Sequence, residues 1–544
     1  MTTQVFIFNN ASRAASYGIG TYVRQLSDGL LALLGFDVSF VEMYADTKEF
    51  TIKEDERGSL HYQIPALSSA MESEVYCRSI FYFLVRNIVG EKSTRLVFHF
   101  NYFQHRPLAV LLKGQYPYSR IIVTVHYLNW CFELKGNVRW MREIVAKGYE
   151  AKDETERHVV SSFHEEQAFL HLADEVLVLS KKTKAILAKD YEVSDDKMHL
   201  IYNGIGEGIC SRTLPYKSKA AQRNILFVGR LDEIKGLKYL ILAFEEIASK
   251  YPDTRLVVVG DGDFQPYLAQ SRKLHGQVSF LGKMQSDEVD EVYKSAYIGV
   301  MPSFHEQCSY TAIEMMRHGI PIVGTDSTGL GEMLDATPQL RVHIDEDSFD
   351  EEAFVAQIAS CMDLLLSDVL IYRQASDAVS RLYEERYQIS SMTDGIQQVV
   401  LSSFDRSDYT VSPDYFRHLD SRMMQIINQR PDIDTEFFGM SGIGVYLWWR
   451  TKSLAGNPKE EYRQMMLQEY LIYYIDWLAD AALSSSLPEE MIAALMDMLG
   501  KGFYKTRVRS ILERHQYSKK DGEFFLTSKN EIITNSLRIC NCKV

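Results

Sequence analysis

Short apolar runs alternate with longer amphipathic stretches through the first 400 residues of the chain. Residues 5–8, 96–100 and 121–125 are runs of β-branched and aromatic residues, which is typical of strands buried on both faces of a parallel sheet. Helical patterns lie between such runs, for example at residues 154–172. This alternation predicts an α/β fold in which a doubly wound parallel sheet is covered by helices.

The alternation of strand and helix patterns starts again after a polar, irregular stretch at residues 207–222, which suits a hinge. Residues 224–228, 254–259 and 278–281 are predicted strands, and a glycine follows each of them closely. We therefore predict two Rossmann-like domains. Their predicted bounds are 1–205 and 206–395.

Residues 406–544 depart from this alternation, because helical patterns dominate there. Three of the five tryptophans of the chain fall in this part: Trp448, Trp449 and Trp477. We predict a helical accessory domain, whose aromatic residues either pack its core or form a docking surface for an acceptor or a partner. The basic segment 501–520 is either a solvated helix face or a contact with anionic lipid headgroups.

Composition narrows the class of protein. A net charge of −14 over 544 residues argues against a general nucleic-acid binder. No window approaches the roughly 18 apolar residues of a membrane span, and the first residues read as a strand rather than a signal peptide. Seven scattered cysteines indicate a reducing compartment without a disulfide framework. We expect a cytoplasmic protein, with peripheral membrane contact as an alternative, and leave its oligomeric state open.

Two glutamates separated by seven residues, Glu306 and Glu314, mark the stretch that organises the chain. Between them, Ser309 is a predicted helix cap and Tyr310 begins the helix. A helix N-terminus offers free amides and a positive partial charge, which suits a phosphate. Carboxylates on both sides of an anion site fit a ligand with hydroxyls flanking a diphosphate, such as a nucleotide-sugar.

Further candidate residues follow predicted strands, where doubly wound sheets bind ligands. Arg230 and Lys235, preceded by Gly229, would place two cations on a diphosphate. Glycines that let a ligand approach the backbone follow other strands, and His126 ends another. These glycines are Gly18, Gly20 and Gly260.

This set of motifs resembles the retaining glycosyltransferases of family four (the group 1 type), although that family usually has glycine in place of Ser309. The resemblance covers about residues 1–400 and implies the GT-B fold: two facing Rossmann-like domains, here followed by the α-helical extension. It makes 1–205 the acceptor side and 206–395 the nucleotide-sugar side. It also implies that a helix at 396–405 returns to the first domain.

In that family, Glu306 and His126 would contact the donor sugar and Glu314 the ribose. Donor contacts would also come from Gly18, Gly20, Gly229, Gly260, Ser309 and Tyr310. The resemblance implies sugar transfer with retention of anomeric configuration, from a UDP-sugar by preference, without cofactor. Arg230, Lys235 and the amides near Ser309 would replace the divalent metal of other transferases, and no metal ligand is assigned.

The acceptor stays open: a glycan, a lipid-linked sugar, a small molecule or a peptide. The long tail on this fold is also similar to that of transferases placed beside bacterial peptide-modification systems. Two other functions are compatible with the motifs. One is a non-catalytic scaffold that binds a partner, and the other is hydrolysis or epimerisation of a nucleotide-sugar.

Overall fold

The computed structural model describes residues 2–11, 18–66, 73–88, 95–116, 119–147, 153–206, 222–274, 276–345 and 348–405, and the backbone of 517–520 and 523–526. Their strands form two large sheets, one for each predicted Rossmann-like domain. Both are parallel sheets, except that one edge strand of the first sheet runs antiparallel to its neighbour. The prediction of two parallel α/β domains is therefore confirmed.

The first sheet has eight strands in the order β3-β4-β2-β1-β5-β6-β7-β8. Its strands are β1 Thr3–Asn10, β2 Phe36–Ala45, β3 Thr51–Glu54, β4 Leu60–Pro65, β5 Arg95–Phe100, β6 Arg120–Val125, β7 Glu175–Val178 and β8 Met198–Leu200. Its helices are α1 Gly18–Leu31, α2 Ser73–Asn87, α3 Arg106–Gln115, α4 Trp130–Glu133, α5 Val138–Lys147, α6 Glu154–Leu172 and α7 Lys181–Lys189. Every residue of β6 and β7 is buried, as expected for strands covered on both faces.

The second sheet has six strands in the order β11-β10-β9-β12-β13-β14. They are β9 Arg223–Val228, β10 Thr254–Val259, β11 Val278–Gly282, β12 Ala296–Met301, β13 Ile322–Thr325 and β14 Arg341–Val342. The helices are α8 Leu237–Lys250, α9 Gln265–Gln270, α10 Ser286–Ser295, α11 Tyr310–Arg317, α12 Thr328–Met333, α13 Glu351–Ser367, α14 Val369–Arg386 and α15 Ile389–Ser403. In both sheets the strand order reverses beside the first strand of the lobe, which leaves a crevice at the carboxyl ends of the strands.

Helix α15 leaves the second lobe and packs on α1 of the first. The approach is close, because a Cβ atom on Gly29 would lie 2.1 Å from Oγ1 of Thr393. At the far end of α15, Nε of the buried Arg120 donates to the carbonyl oxygen of Ser403 at 2.7 Å. The chain thus crosses between the lobes twice, once after β8 and once through α15.

Two local predictions were wrong. Gly18 and Gly20 belong to α1, which begins at Gly18 rather than near Thr21, because Ile19 already faces the core together with Tyr22 and Val23. In the basic segment, Tyr517–Lys520 is a strand that pairs antiparallel with Glu523–Leu526. The sequence between them is Asp-Gly, a dipeptide that favours two-residue hairpins and that the helical interpretation overlooked.

The rest of the predicted accessory domain, including Trp448, Trp449 and Trp477, lies outside the described residues. Among the helices of the described ranges, no single one is long and apolar enough to cross a bilayer. The consecutive pair α13 and α14 passes that test when the two are taken together, but it is bent by 104°.

Candidate functional site

A cleft of about 920 Å³ lies where the carboxyl ends of the two sheets face each other. Most of the residues predicted from the sequence line this cleft, and they come from both lobes. Gly20 is the exception, since it lies within α1 and does not line the cleft. The predicted residues in the lining are Gly18, His126, Gly229, Arg230, Lys235, Gly260, Glu306, Ser309, Tyr310 and Glu314.

Lys235 and Glu306 form an ion pair across the cleft wall of the second lobe. Lys235 Nζ lies 2.5 Å from Oε1 of Glu306, and the two side chains are 21% and 11% exposed. The next residue, Gly236, has a φ of 70°, and a Cβ there would lie 2.1 Å from the carbonyl oxygen of Pro302, so this position requires glycine. The sequence assigned the two side chains to different parts of a donor, whereas here each neutralises the other.

Arg230 lies at the end of β9 and pairs with Asp232 at 3.0 Å, while its side chain stays one-third exposed. Below it, the turns after β9 and β10 touch through their backbones. Gly260 has a φ of 153°, and a Cβ on it would lie 1.7 Å from the carbonyl oxygen of Gly229. Because no side chain fits at Gly260, backbone atoms alone form this part of the cleft floor.

No Asp-x-Asp at a strand end was predicted to hold a metal, although the triplet Asp261-Gly262-Asp263 follows β10. Asp263 uses its carboxylate locally, because Oδ1 accepts from the backbone amide of Gln265 at 2.9 Å. Over the described part of the chain, no group of three or more His, Cys, Asp or Glu side chains is arranged to hold a metal ion.

Helix α11 points its N-terminus into the cleft. Ser309 is its cap, as predicted, and its hydroxyl accepts from the amide of Ala312 at 3.5 Å. Tyr310 opens the helix; its ring is buried, and its hydroxyl oxygen has no hydrogen-bond partner among the described residues. The free amides of this first turn give the cleft a site with positive partial charge.

Glu314 lies one turn into α11 and accepts a hydrogen bond from the hydroxyl of Tyr293 at 2.7 Å. Burial raises the pKa of Glu314, and Tyr293, Arg317 and Arg24 act in the opposite direction. Arg24 comes from α1 of the first lobe, so both lobes contribute to the surroundings of this carboxylate. Tyr293, Arg317 and Arg24 were not predicted from the sequence as site residues. Of the three, Arg317 could have been predicted, since it lies three residues after Glu314 on the same helix.

His126 directly follows β6, and its Nε2 lies 2.9 Å from Oδ1 of Asn101. The amide nitrogen of Asn101 donates to the carbonyl oxygen of Phe8 at 3.0 Å, which fixes the orientation of the amide. Nε2 of His126 is therefore the donor, and Nδ1 is left as an acceptor. Burial lowers the pKa of His126 to about 3, so the ring is neutral near pH 7 and can accept from a hydroxyl.

The first-lobe wall continues from His126 with aromatic and amide side chains that the sequence analysis did not single out. The ring of Tyr127 contacts those of Phe103 and Phe132, at centroid distances of 6.3 and 5.6 Å. Its hydroxyl donates to Oε1 of Gln104 at 3.5 Å. Phe103 and Gln104 follow β5, Tyr127 follows β6 and Phe132 lies in α4, so no spacing along the chain marks them as a group.

The loop that carries Glu306 is held by residues of the first lobe and by Gly329 of its own lobe. Oε1 of Gln307 accepts from Ser180 Oγ at 3.2 Å and also from the hydroxyl of Thr183. The amide of Gly329 donates to the carbonyl oxygen of Glu306 at 2.7 Å. A Cβ on Gly329 would lie 1.5 Å from the carbonyl oxygen of Gln307, so this contact requires glycine.

Family models match both lobes. Residues 17–207 match the model described as "Glycosyltransferase Family 4", and residues 222–363 match "Glycosyl transferases group 1". An uncharacterized glycosyltransferase of Methanocaldococcus jannaschii is 33% identical over 173 residues, which is 29% of this chain and 44% of that protein. A D-inositol 3-phosphate glycosyltransferase of Corynebacterium kroppenstedtii is 22% identical, over 59% of this chain and 69% of that protein.

The stretches aligned with the first relatives span about half of their length or less: 44% for the M. jannaschii protein and 50% for an uncharacterized glycosyltransferase of Haemophilus influenzae. Among solved structures, sucrose-phosphate synthase of Thermosynechococcus elongatus superposes with a TM-score of 0.57 at 19% identity, over 74% of this chain and 99% of that chain. A glycosyltransferase of Rickettsia africae superposes with a TM-score of 0.52 at 16% identity, over 75% and 100%. The described lobes therefore have the GT-B fold.

Proposed function

We propose that this chain is a glycosyltransferase that moves a sugar from a nucleotide diphosphate sugar to an acceptor, with retention of anomeric configuration and without a metal. The observation that carries the proposal is the cleft between the lobes, where Arg230, Lys235 and the N-terminus of α11 converge. Three sources of positive charge in one cleft suit a leaving diphosphate. The matches of both lobes to glycosyltransferase families support the same activity.

In this proposal the difficult step is departure of the nucleoside diphosphate as positive charge develops on the anomeric carbon. Arg230, Lys235 and the amides near Ser309 and Tyr310 stabilise the negative charge on the leaving phosphate. Because Lys235 is already paired with Glu306, the donor enters between them: its phosphate takes over the ammonium and its sugar hydroxyls donate to the carboxylate.

Glu314 holds the ribose, and neutral His126 accepts from a hydroxyl of the transferred sugar. The departing phosphate oxygen takes the proton of the acceptor hydroxyl on the same face, so no protein nucleophile is assigned. Closure of the lobes excludes water and limits hydrolysis of the donor. We favour UDP as the nucleotide, and the acceptor is a glycan, a lipid-linked sugar, a small molecule or a peptide.

The first experiment is a thermal-shift panel of UDP-, GDP- and ADP-sugars on the full chain, because a ligand that binds the folded state raises its melting temperature. We expect one nucleotide series to stabilise the protein. Donor is then incubated with and without candidate acceptors, in buffer with and without EDTA. Transfer that survives EDTA and keeps the anomeric configuration by NMR supports the proposal. Free sugar or an epimer as the main product contradicts it.

The ribose assignment has its own test. Glu314→Ala removes a charged acceptor, and hydrogen bonds to charged groups contribute about 1.5–3 kcal/mol, so we expect nucleotide affinity to fall by roughly 10- to 100-fold. The matched control is the 2′,3′-dideoxy nucleotide, which has no ribose hydroxyls to donate. Its affinity should be similar for both proteins; an equal loss for both nucleotides would show that Glu314 acts elsewhere.

A further inference from the structure

A fully buried carboxyl group lies behind the first-lobe wall of the cleft. Glu166 sits in the middle of α6 and has 0% exposure, and it is absent from the cleft lining. Isolated carboxylates are rarely buried completely, since transfer out of water disfavours the charged form. A buried one therefore needs several donors, and the donors around Glu166 come from the elements that form the cleft wall.

Hydrogen bonds reach both oxygens of the Glu166 carboxylate, and the side chain of Asn129 also interacts with this group. The backbone amide of Asn129 donates to Oε1 at 2.6 Å, and the hydroxyl of Tyr191 donates to Oε2 at 2.7 Å. The hydroxyl of Tyr191 in turn accepts from the indole Nε1 of Trp130 at 3.0 Å. All donors in this series point toward the carboxylate, so the series is satisfied when Glu166 is ionised.

This network holds the segment between β6 and α4. The network forms hydrogen bonds directly with Asn129 and Trp130, and residues of the same segment line the cleft. Those cleft residues are His126, Tyr127, Asn129 and Phe132. A shift of the Asn129 backbone would move this wall as a unit, and misalignment of a reacting group by about 1 Å can cost a hundredfold in rate.

Protonation of Glu166 breaks the series. A neutral carboxyl group donates through one of its oxygens, and both oxygens already face donors. The new hydrogen would meet the hydroxyl hydrogen of Tyr191 at Oε2 or the amide hydrogen of Asn129 at Oε1. Burial is the main cause that raises the pKa of Glu166 to about 7, against the donors from Asn129 and Tyr191. The carboxyl therefore changes charge within the range of pH where enzymes are assayed.

One neighbouring imidazole is that of the buried His171, whose Nε2 lies 2.8 Å from the carbonyl oxygen of Tyr191. Three further titratable groups near the network do not change charge in that range. Burial raises the pKa of Tyr191, of Tyr127 in the cleft segment and of the thiol of Cys131 on α4. All three stay neutral near pH 7. Lys182, on α7, faces the thiol of Cys131 and lowers its pKa by a smaller effect.

We propose that Glu166, in its carboxylate form, is a positioning residue that holds the cleft segment from His126 to Phe132 in the geometry that aligns the transferred sugar and the acceptor. Its effect on rate rests on the proposed glycosyl transfer, whereas its effect on the segment does not. Activity should then rise with pH through about 7 and fall as Glu166 is protonated.

The variant Glu166→Gln has the shape of the acid but presents an amide N–H to Tyr191, so it imitates the protonated state. We expect kcat for transfer to fall by about tenfold or more, with the rise through pH 7 lost. Affinity for the free nucleoside diphosphate, which lacks the sugar that His126 contacts, should be unchanged by thermal shift. Tyr191→Phe removes the donor to Oε2 and tests the same network by a second route. Glu175→Gln is the matched control, because Glu175 is also buried in the first lobe but pairs with His199 at 2.6 Å.

A second readout does not require transfer. Trp130 donates into the network, so its fluorescence should change with a midpoint near pH 7 in the unaltered protein and not in Glu166→Gln. Trp130→Phe identifies which part of the emission belongs to this residue. A transition that persists in Glu166→Gln, or an unaltered pH profile of transfer in that variant, would overturn the inference. Failure of the unaltered protein to transfer any sugar, with the Trp130 transition present, would instead contradict the proposed function.

Discussion

The two walls of the cleft are built from different chemistry. The second-lobe wall carries Arg230, Lys235, Glu306 and Glu314. Among the described first-lobe residues that line the cleft, Arg24 is the one with a charged side chain at neutral pH, and the rest of that wall is aromatic, amide, aliphatic or small. Charges suit a diphosphate and a ribose, whereas aromatic rings and amides suit the hydroxylated, partly apolar face of a sugar or similar acceptor.

The walls also differ in how they are supported. In the second lobe, charged side chains pair with one another, as Lys235 does with Glu306. In the first lobe, the wall is held from behind by hydrogen bonds from its backbone to a buried group, as at Asn129 and Glu166. Substitutions in the second-lobe wall should therefore change donor binding and the chemical step. Substitutions in the first-lobe wall should change use of the acceptor, apart from those at the donor contact His126 and at Arg24 beside Glu314.

The largest effect is expected for Lys235→Ala. The variant loses a cation that faces the leaving phosphate and also leaves Glu306 as an unpaired anion, so transfer should fall by about a hundredfold or more. The measurement is kcat/KM with saturating acceptor. Lys238→Ala is the control, because Lys238 is half-exposed, pairs with Glu351 on the surface and should contribute little.

The double variant Lys235→Ala/Glu306→Gln sharpens this test. Removing the negative charge as well should restore part of the donor affinity that Lys235→Ala loses, since repulsion of the diphosphate disappears. Strictly additive losses would mean that the two side chains do not act as a pair.

An intermediate effect is expected for Gly329→Ala. The new methyl group would overlap the carbonyl oxygen of Gln307, and forced overpacking of this kind typically costs about 1–3 kcal/mol. The melting temperature should fall, and donor affinity should fall with it because the displaced loop carries Glu306. Gly206→Ala is the matched control, since a Cβ there meets nothing within 4 Å. Equal melting temperatures for the two variants would contradict the close contact.

The smallest effect is expected for Phe132→Ala on the first-lobe wall. Phe132 is 45% exposed, so truncation should leave the fold intact while removing a stacking surface worth about 0.5–1.5 kcal/mol, a factor of roughly 2 to 13 in the KM for the acceptor. Donor affinity should not change. Trp140→Ala serves for comparison, because Trp140 is 49% exposed on α5 and lies outside the cleft lining. A donor effect without an acceptor effect would reverse the assignment of the walls.

Local order in the sequence was enough to predict the two sheets, the cap at Ser309 and the gathering of Arg230, Lys235, Glu306 and Glu314 at strand ends. Strand and helix periods depend on near neighbours, and the carboxyl ends of parallel strands necessarily meet at one edge. The start of α1 and the hairpin at 517–526 were misread because a single glycine or a basic run is compatible with more than one local structure.

Tertiary structure alone decided which groups meet across long separations. Lys235 and Glu306 are 71 residues apart, and Asn129 and Glu166 are 37 apart, so no spacing predicts either contact. Burial likewise depends on the whole fold. In the sequence, Glu166 is an ordinary helix residue. In the structure, its carboxyl group is covered on every side, and this burial raises its pKa to about 7. The sequence by itself determined the kinds of chemical group in the cleft, and the packing of the lobes determined their partners and their charge.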